Sequence, residues 1–187
     1  MSVAFQYLNP NETDDDLIAK LETYSHSDFW YHWGYYNAGE ILFENWHEKY
    51  KVRGDHISID SIVFPIYYCY RHSVEVCMKK LLRTMTGEHS KPNHHIKKLL
   101  LDISKAGIEI PDYVEKFIDE LDSIDPSFTR FRYDTQKNGK KNDMLKVNLI
   151  GMVKGFRLVY KFFYKTWNEK YKKDRTFIDN HHNRFAT

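Results

Sequence analysis

The sequence has little of what would let a chain cross a membrane, staple itself with disulfides or turn back often. No run of about 18 apolar residues occurs in its 187 residues, so no membrane-spanning helix is expected. The opening MSVAFQYLNPNETDDD lacks the basic-then-apolar order of a secretory signal, and the expectation is a soluble, cytoplasmic chain with no membrane partner. Two cysteines are present, Cys69 and Cys77. Eight residues apart on one helix, their Cα atoms sit about 12 Å from each other, and a disulfide tolerates less than about 7 Å. Both therefore read as small core residues. Eight glycines and five prolines allow few turns, and no strand-like alternation runs for long. P-loop, GxGxxG and GxSxG patterns are absent, which disfavours a nucleotide kinase, a Rossmann enzyme and a serine hydrolase. A formal net charge of +2 is too small to imply a nucleic-acid partner by itself; only local patches could do so.

What the sequence does have is helical periodicity. Hydrophobic residues make up 42% of it, enough for one domain with a proper core. Six helices are expected. The first is TDDDLIAKLETYS, with Thr13 as N-cap and acid in the first turn. The second starts near Ser27 and runs through FWYHWGYYNAGEILFENWHEKY; its Trp30, Trp33, Phe43 and Trp46 read as packing. The third spans about Ser61 to Thr86, with Pro65 in its first turn. Asn93 caps the fourth, HHIKKLLLDISKA, which Gly107 ends, and Pro111 opens the fifth. The sixth runs from about Asp143 to Lys170. Short connections then imply an all-α, up-and-down helical bundle. Residues 1–54 read as an N-terminal helical extension packed on the bundle, 55–172 as the bundle and 173–187 as a polar tail.

The third helix, containing YCYRHSVEVCMKKLLR, raises the first chemical question. At 100° per residue Ile66, Tyr70, Val74, Cys77 and Leu81 share one side, while Arg71, His72, Glu75 and Lys79 share the other. That second side fits a solvated, salt-bridged face. It also fits a polar cleft, with a guanidinium for phosphate, an imidazole for proton transfer and a carboxylate to orient it. The sixth helix carries Lys154, Arg157, Lys161 and Lys165 in a narrow sector opposite Leu149, Met152, Phe156, Tyr160, Phe163 and Trp167. A solvated lysine face and a phosphate-tracking stripe both fit, and no acidic residue interrupts the stripe between Lys154 and Lys165. The pairs His94-His95 and His181-His182 diverge on a helix and have no HExxH or cysteine-rich company, so no metal site and no cofactor is expected.

Three short motifs occur in order: YRHSVEVCMKKLL, then HHIKKLL, then DPSFTRFRYDTQKNG. Together they resemble a HEPN-type domain, the higher eukaryotes and prokaryotes nucleotide-binding helical bundle. The matching positions are Arg71, His72, Glu75 and Lys79; His94, Ile96 and Leu99; and Arg132, Tyr133 and Gly139. The resemblance covers roughly residues 56 to 170. It implies an all-α bundle that dimerises with its site between protomers, and that engages RNA. Many such proteins are metal-independent endoribonucleases of prokaryotic or phage defence, stress or toxin–antitoxin systems; others only bind nucleic acid or protein. Nuclease members carry Arg, four to six residues and then His. Arg83 to His89 and Arg175 to His181 or His182 fit that spacing, the first across the helix end at Gly87 and the second within the polar tail.

Two expectations follow. In one the chain is an RNA-engaging protein of metal-independent endoribonuclease type: Arg71, His72, Glu75 and His94 form the catalytic set, and Lys79, Arg132, Tyr133, Lys154, Arg157, Lys161 and Lys165 hold RNA phosphates. In the other it is a non-catalytic dimeric module, of antitoxin or phage-encoded modulator type, that binds nucleic acid or a protein partner.

Overall fold

Among the described residues there are five helices and no strand: α1 (Ser27–Glu48), α2 (Ile59–Thr86), α3 (Ile96–Lys105), α4 (Asp112–Ile124) and α5 (Leu149–Lys170). The structure, a computed structural model, describes residues 27–50, 59–87, 94–125, 128 and 146–170. The expected first helix, at residues 13–25, lies outside them. Helices consecutive in the chain pack on one another, and α5 returns to α2, which makes an all-α bundle with α2 at its centre.

The central position of α2 follows from its sequence. Ile66, Tyr70, Val74, Cys77 and Leu81 form the expected apolar side and are all buried. Tyr67, Met78 and Leu82 widen that side until the helix is covered by α1, α3 and α5. The helix begins at Ile59, two residues before the expected start, which puts Pro65 in the second turn. There Pro65 gives no N–H to the carbonyl four residues back, and it lies exposed. Both cysteines are free; Cys77 is buried and Cys69 half-buried.

α1 places His32, Gly39, Phe43 and Trp46 inward, the seven-, four- and three-residue spacing of one helical face. Its links to α5 are specific. The Tyr36 and Tyr160 rings stack with centroids 4.1 Å apart, and His32 Nδ1 lies 2.9 Å from the Tyr160 hydroxyl. Arg157 of α5 donates through Nε to Glu40 Oε1 at 2.8 Å and through Nη2 to Oε2, with its guanidinium over the Phe43 ring.

The short helices end by local rules. Gly107, at φ 94°, takes the left-handed position after α3 and donates its N–H to the Ser104 carbonyl at 2.9 Å. Pro111 precedes α4, and its carbonyl accepts from Val114 and Glu115. α5 starts at Leu149, later than the expected Asp143, because the Asn148 side chain accepts the Gly151 N–H at 3.0 Å and so caps the helix there. Further along, the Phe117 ring of α4 lies against Gly155, and a Cβ at 155 would come 2.1 Å from Phe117 Cε2. The same ring meets Phe156 edge-on, centroids 5.1 Å apart, so the α4–α5 contact depends on a missing side chain. No helix of the described residues is long and apolar enough to cross a membrane.

Candidate functional site

Arg71 and Glu75 lie one turn apart on α2, on the side that the sequence leaves open to water or to a cleft. They face neither. Arg71 is 0% and Glu75 1% exposed. The solvated-face expectation is thereby corrected. The periodicity located the polar side properly, but the start of α3 and the Phe128 ring lie over it.

Glu75 is the hub. Its Oε2 accepts from Arg71 Nη1 at 3.1 Å, and its Oε1 accepts from Lys79 Nζ at 2.7 Å and meets His94 Nδ1 at 3.0 Å. Arg71 turns its other terminal nitrogen to the His94 backbone carbonyl at 2.6 Å and lays its guanidinium over Phe128, 4.7 Å from the ring centre. Two side chains of one helical turn thus hold His94 by its ring and by its backbone. A buried ion pair rarely adds net stability, since desolvation offsets attraction; what it fixes is geometry. Burial alone would raise the Glu75 carboxyl. The hydrogen bond from Lys79 and the charges of Arg71, Lys79 and His94 outweigh burial and hold the carboxyl below its ordinary value.

The outer members of the cluster reach water. The His94 side chain is 52% exposed and that of Lys79 25%. With Nδ1 turned to a carboxylate, the ring donates there, and in the neutral form of the imidazole Nε2 is the acceptor. An oriented imidazole beside a lysine ammonium can take up or return a proton next to an anionic group.

His72 is not part of that cluster. Being next to Arg71, it leaves the helix about 100° further round the axis, between Tyr35 of α1 (edge-on, centroids 4.5 Å apart) and Tyr68 (stacked, 5.6 Å). Its Nδ1 is buried and has no hydrogen-bond partner among the described residues. Burial lowers its pKa, against an opposing pull from the Glu75 charge. Phe128 separates the two histidines. Its ring is parallel within 11° to Tyr68 and within 10° to His72, and tilted against His94. Phe128 has φ 57°, a left-handed conformation that costs a bulky residue about 1–3 kcal/mol and persists only when its surroundings hold it.

Of the remaining expected site residues, Arg132 and Tyr133 lie outside the described residues. Ile96 and Leu99 of the second motif are core. On α5, Lys154, Lys161 and Lys165 are exposed, with Lys165 3.6 Å from Glu169. Arg157 leaves the stripe: the acid that interrupts it comes from α1, not from α5 itself, as Glu40 (and Glu44 at 3.9 Å). Sequence reasoning passed over His32, Glu40 and Phe128. For His32 the signal was there, its spacing to Gly39, Phe43 and Trp46; for Phe128 no periodic signal exists. Among the described residues no group of three or more His, Cys, Asp or Glu is placed to hold a metal ion. The chain matches no family model, no curated protein and no solved structure.

Proposed function

We propose that this chain is a HEPN-like protein that engages RNA and cleaves it without a metal, with His94 as the group that moves the proton. The observation that supports this most is the 3.0 Å contact between His94 Nδ1 and the buried Glu75, on a ring that is half exposed. His94 Nε2 takes the proton of a ribose 2′-hydroxyl, the 2′-oxygen bonds to the adjacent phosphorus as the bond from phosphorus to the 5′-oxygen breaks, and the leaving 5′-oxygen takes a proton from water, which gives a 2′,3′-cyclic phosphate and a 5′-hydroxyl. Lys79 offers its charge to the phosphate as negative charge builds. Glu75 and Arg71 are positioning residues; neither touches the RNA. Lys154, Lys161 and Lys165 track further phosphates. The homodimer and the defence or stress role come with the resemblance, the cytoplasmic setting comes from the sequence's lack of a membrane-spanning or secretory pattern, and all three belong to this proposal.

A second reading has its own support. Arg71, expected at the phosphate, is fully buried and already bonded. A module that binds nucleic acid without cutting it needs no free arginine there.

The test incubates the full chain with total RNA in EDTA, alongside His94→Ala, His94→Gln and Glu75→Gln. The cleaving reading expects EDTA-resistant cutting that falls by about 100-fold or more in both His94 variants and by a smaller factor in Glu75→Gln. Retained cutting in both His94 variants removes His94 from the mechanism. Binding without cutting by the wild type favours the second reading.

A further inference from the structure

α4 and α5 touch at one level and part at the next. At Gly155 the Phe117 ring of α4 fills the place of a side chain. One turn earlier, at Gly151, the three atoms nearest to where a Cβ would lie all belong to Asn148, at 3.3, 3.3 and 3.6 Å, and none to α4. The gap that opens there is a cavity of about 420 Å³ between the second half of α4 and the start of α5. That volume falls within the roughly 300–1,000 Å³ of small-molecule sites. No residue of the Glu75–His94 cluster borders it.

The lining divides by chemistry. Leu121 and Met152 are buried and Phe117, Ile124 and Val147 half-buried, so the deep part is apolar. The mouth is polar, with Glu120 on the α4 side and Lys146 and Asn148 on the α5 side, all three exposed. Lys146 and Glu120 form no ion pair among the described residues. Asn148 Oδ1 accepts the Gly151 N–H at 3.0 Å, which leaves the NH2 group of that side chain to donate elsewhere. The α5 side thus offers a cation and a donor, the α4 side an anion, and the floor beneath them is apolar. A ligand that is only an apolar acid would set its charge against Glu120, and one that is only an apolar amine would set its charge against Lys146.

We propose that this cavity binds a free amino acid with an apolar side chain. The side chain lies against Leu121, Met152 and the Phe117 ring, the carboxylate meets Lys146 and the Asn148 amide, and the ammonium meets Glu120. The zwitterion satisfies both rim charges at once, which neither half of it does alone. The site is separate from the proposed RNA site and stands or falls without it.

The test is isothermal titration calorimetry of the full chain with L-phenylalanine, L-leucine and L-methionine, against three probes that each lack one feature. Glycine has no apolar side chain, phenethylamine no carboxylate and 3-phenylpropionate no ammonium. The wild type is expected to bind the three amino acids, and each reduced probe about tenfold or more less tightly. Lys146→Gln then weakens phenylalanine by about tenfold or more and leaves phenethylamine no weaker. Glu120→Gln weakens phenylalanine alike and leaves 3-phenylpropionate no weaker. Both residues are exposed, so neither variant puts the fold at stake, and circular dichroism checks it. A wild type that binds none of the three amino acids overturns the site, as does phenylalanine binding that both variants leave intact. Phenethylamine or 3-phenylpropionate binding as tightly as phenylalanine overturns the assignment to a zwitterion.

Discussion

The carboxylate of Glu75 and the backbone carbonyl of His94 are held by the same guanidinium: Arg71 reaches the first at 3.1 Å and the second at 2.6 Å. Arg71 therefore ties α2 to the start of α3 with no exposure to water. Its role is mechanical, and substitution reads out first in stability.

Arg71→Leu is expected to destabilise the protein by about 3 kcal/mol, since removing one partner of a buried pair strands the other and here also strands the His94 carbonyl. Lys79→Ala, at the wet edge of the same cluster, should cost no more than about 1 kcal/mol. Urea denaturation followed by circular dichroism measures both. Equal losses in the two variants would show that Arg71 is not the buried tie described here.

Gly155→Ala places a methyl group where the Phe117 ring already is, 2.1 Å away. The ring must move, at an expected loss of about 2 kcal/mol. Phe117→Leu in the same chain should recover part of that loss, and a double-mutant cycle should show coupling above about 0.5 kcal/mol. Strictly additive losses would argue against this α4–α5 contact.

Acid should weaken the fold in two stages. Burial lowers the His72 pKa, so the unfolded chain takes up that proton more readily and stability falls as the pH drops below about 6.5. For Glu40 and Glu75 burial pulls upward, but hydrogen bonds from Arg157 and Lys79 prevail, and both carboxyls lie below their ordinary value. Their contribution is complete above about pH 4.3 and is lost as the pH falls through their folded values. Denaturation at about pH 7, pH 5 and pH 3 resolves the stages. His72→Phe keeps a ring in the stack and removes the proton, so it should flatten the first stage alone; an unaltered first stage would assign it to another group.

The helices were legible because apolar spacing is a local property. The inward side of α2 and the inward side of α5 both follow from the 3.6-residue period. Legible too was the nearness of Arg71, Glu75 and Lys79, which one helix fixes by itself. Whether that side is wet was not legible, because it depends on Phe128 and on the residues before Ile96, which arrive from distant parts of the chain. The same holds for Arg157. Scanning α5 alone finds no acid within reach, and the carboxylate that binds the guanidinium is 117 residues earlier, in Glu40. The late start of α5 turns on a single side chain, Asn148, whose hydrogen bond competes with a periodicity that runs past it.

The helix that the sequence sets apart as an appendage turns out to furnish one wall of the packing around His72. Tyr35 closes on that ring, Gly39 admits Tyr70 to within 3.0 Å of where a Cβ would lie, and Glu40 grips α5 from outside. A recombinant fragment cut at residue 55 would thus shed a structural partner rather than a decoration, leaving the Arg157 guanidinium and the Tyr160 ring bare. Fragment boundaries for expression or screening belong before Ser27.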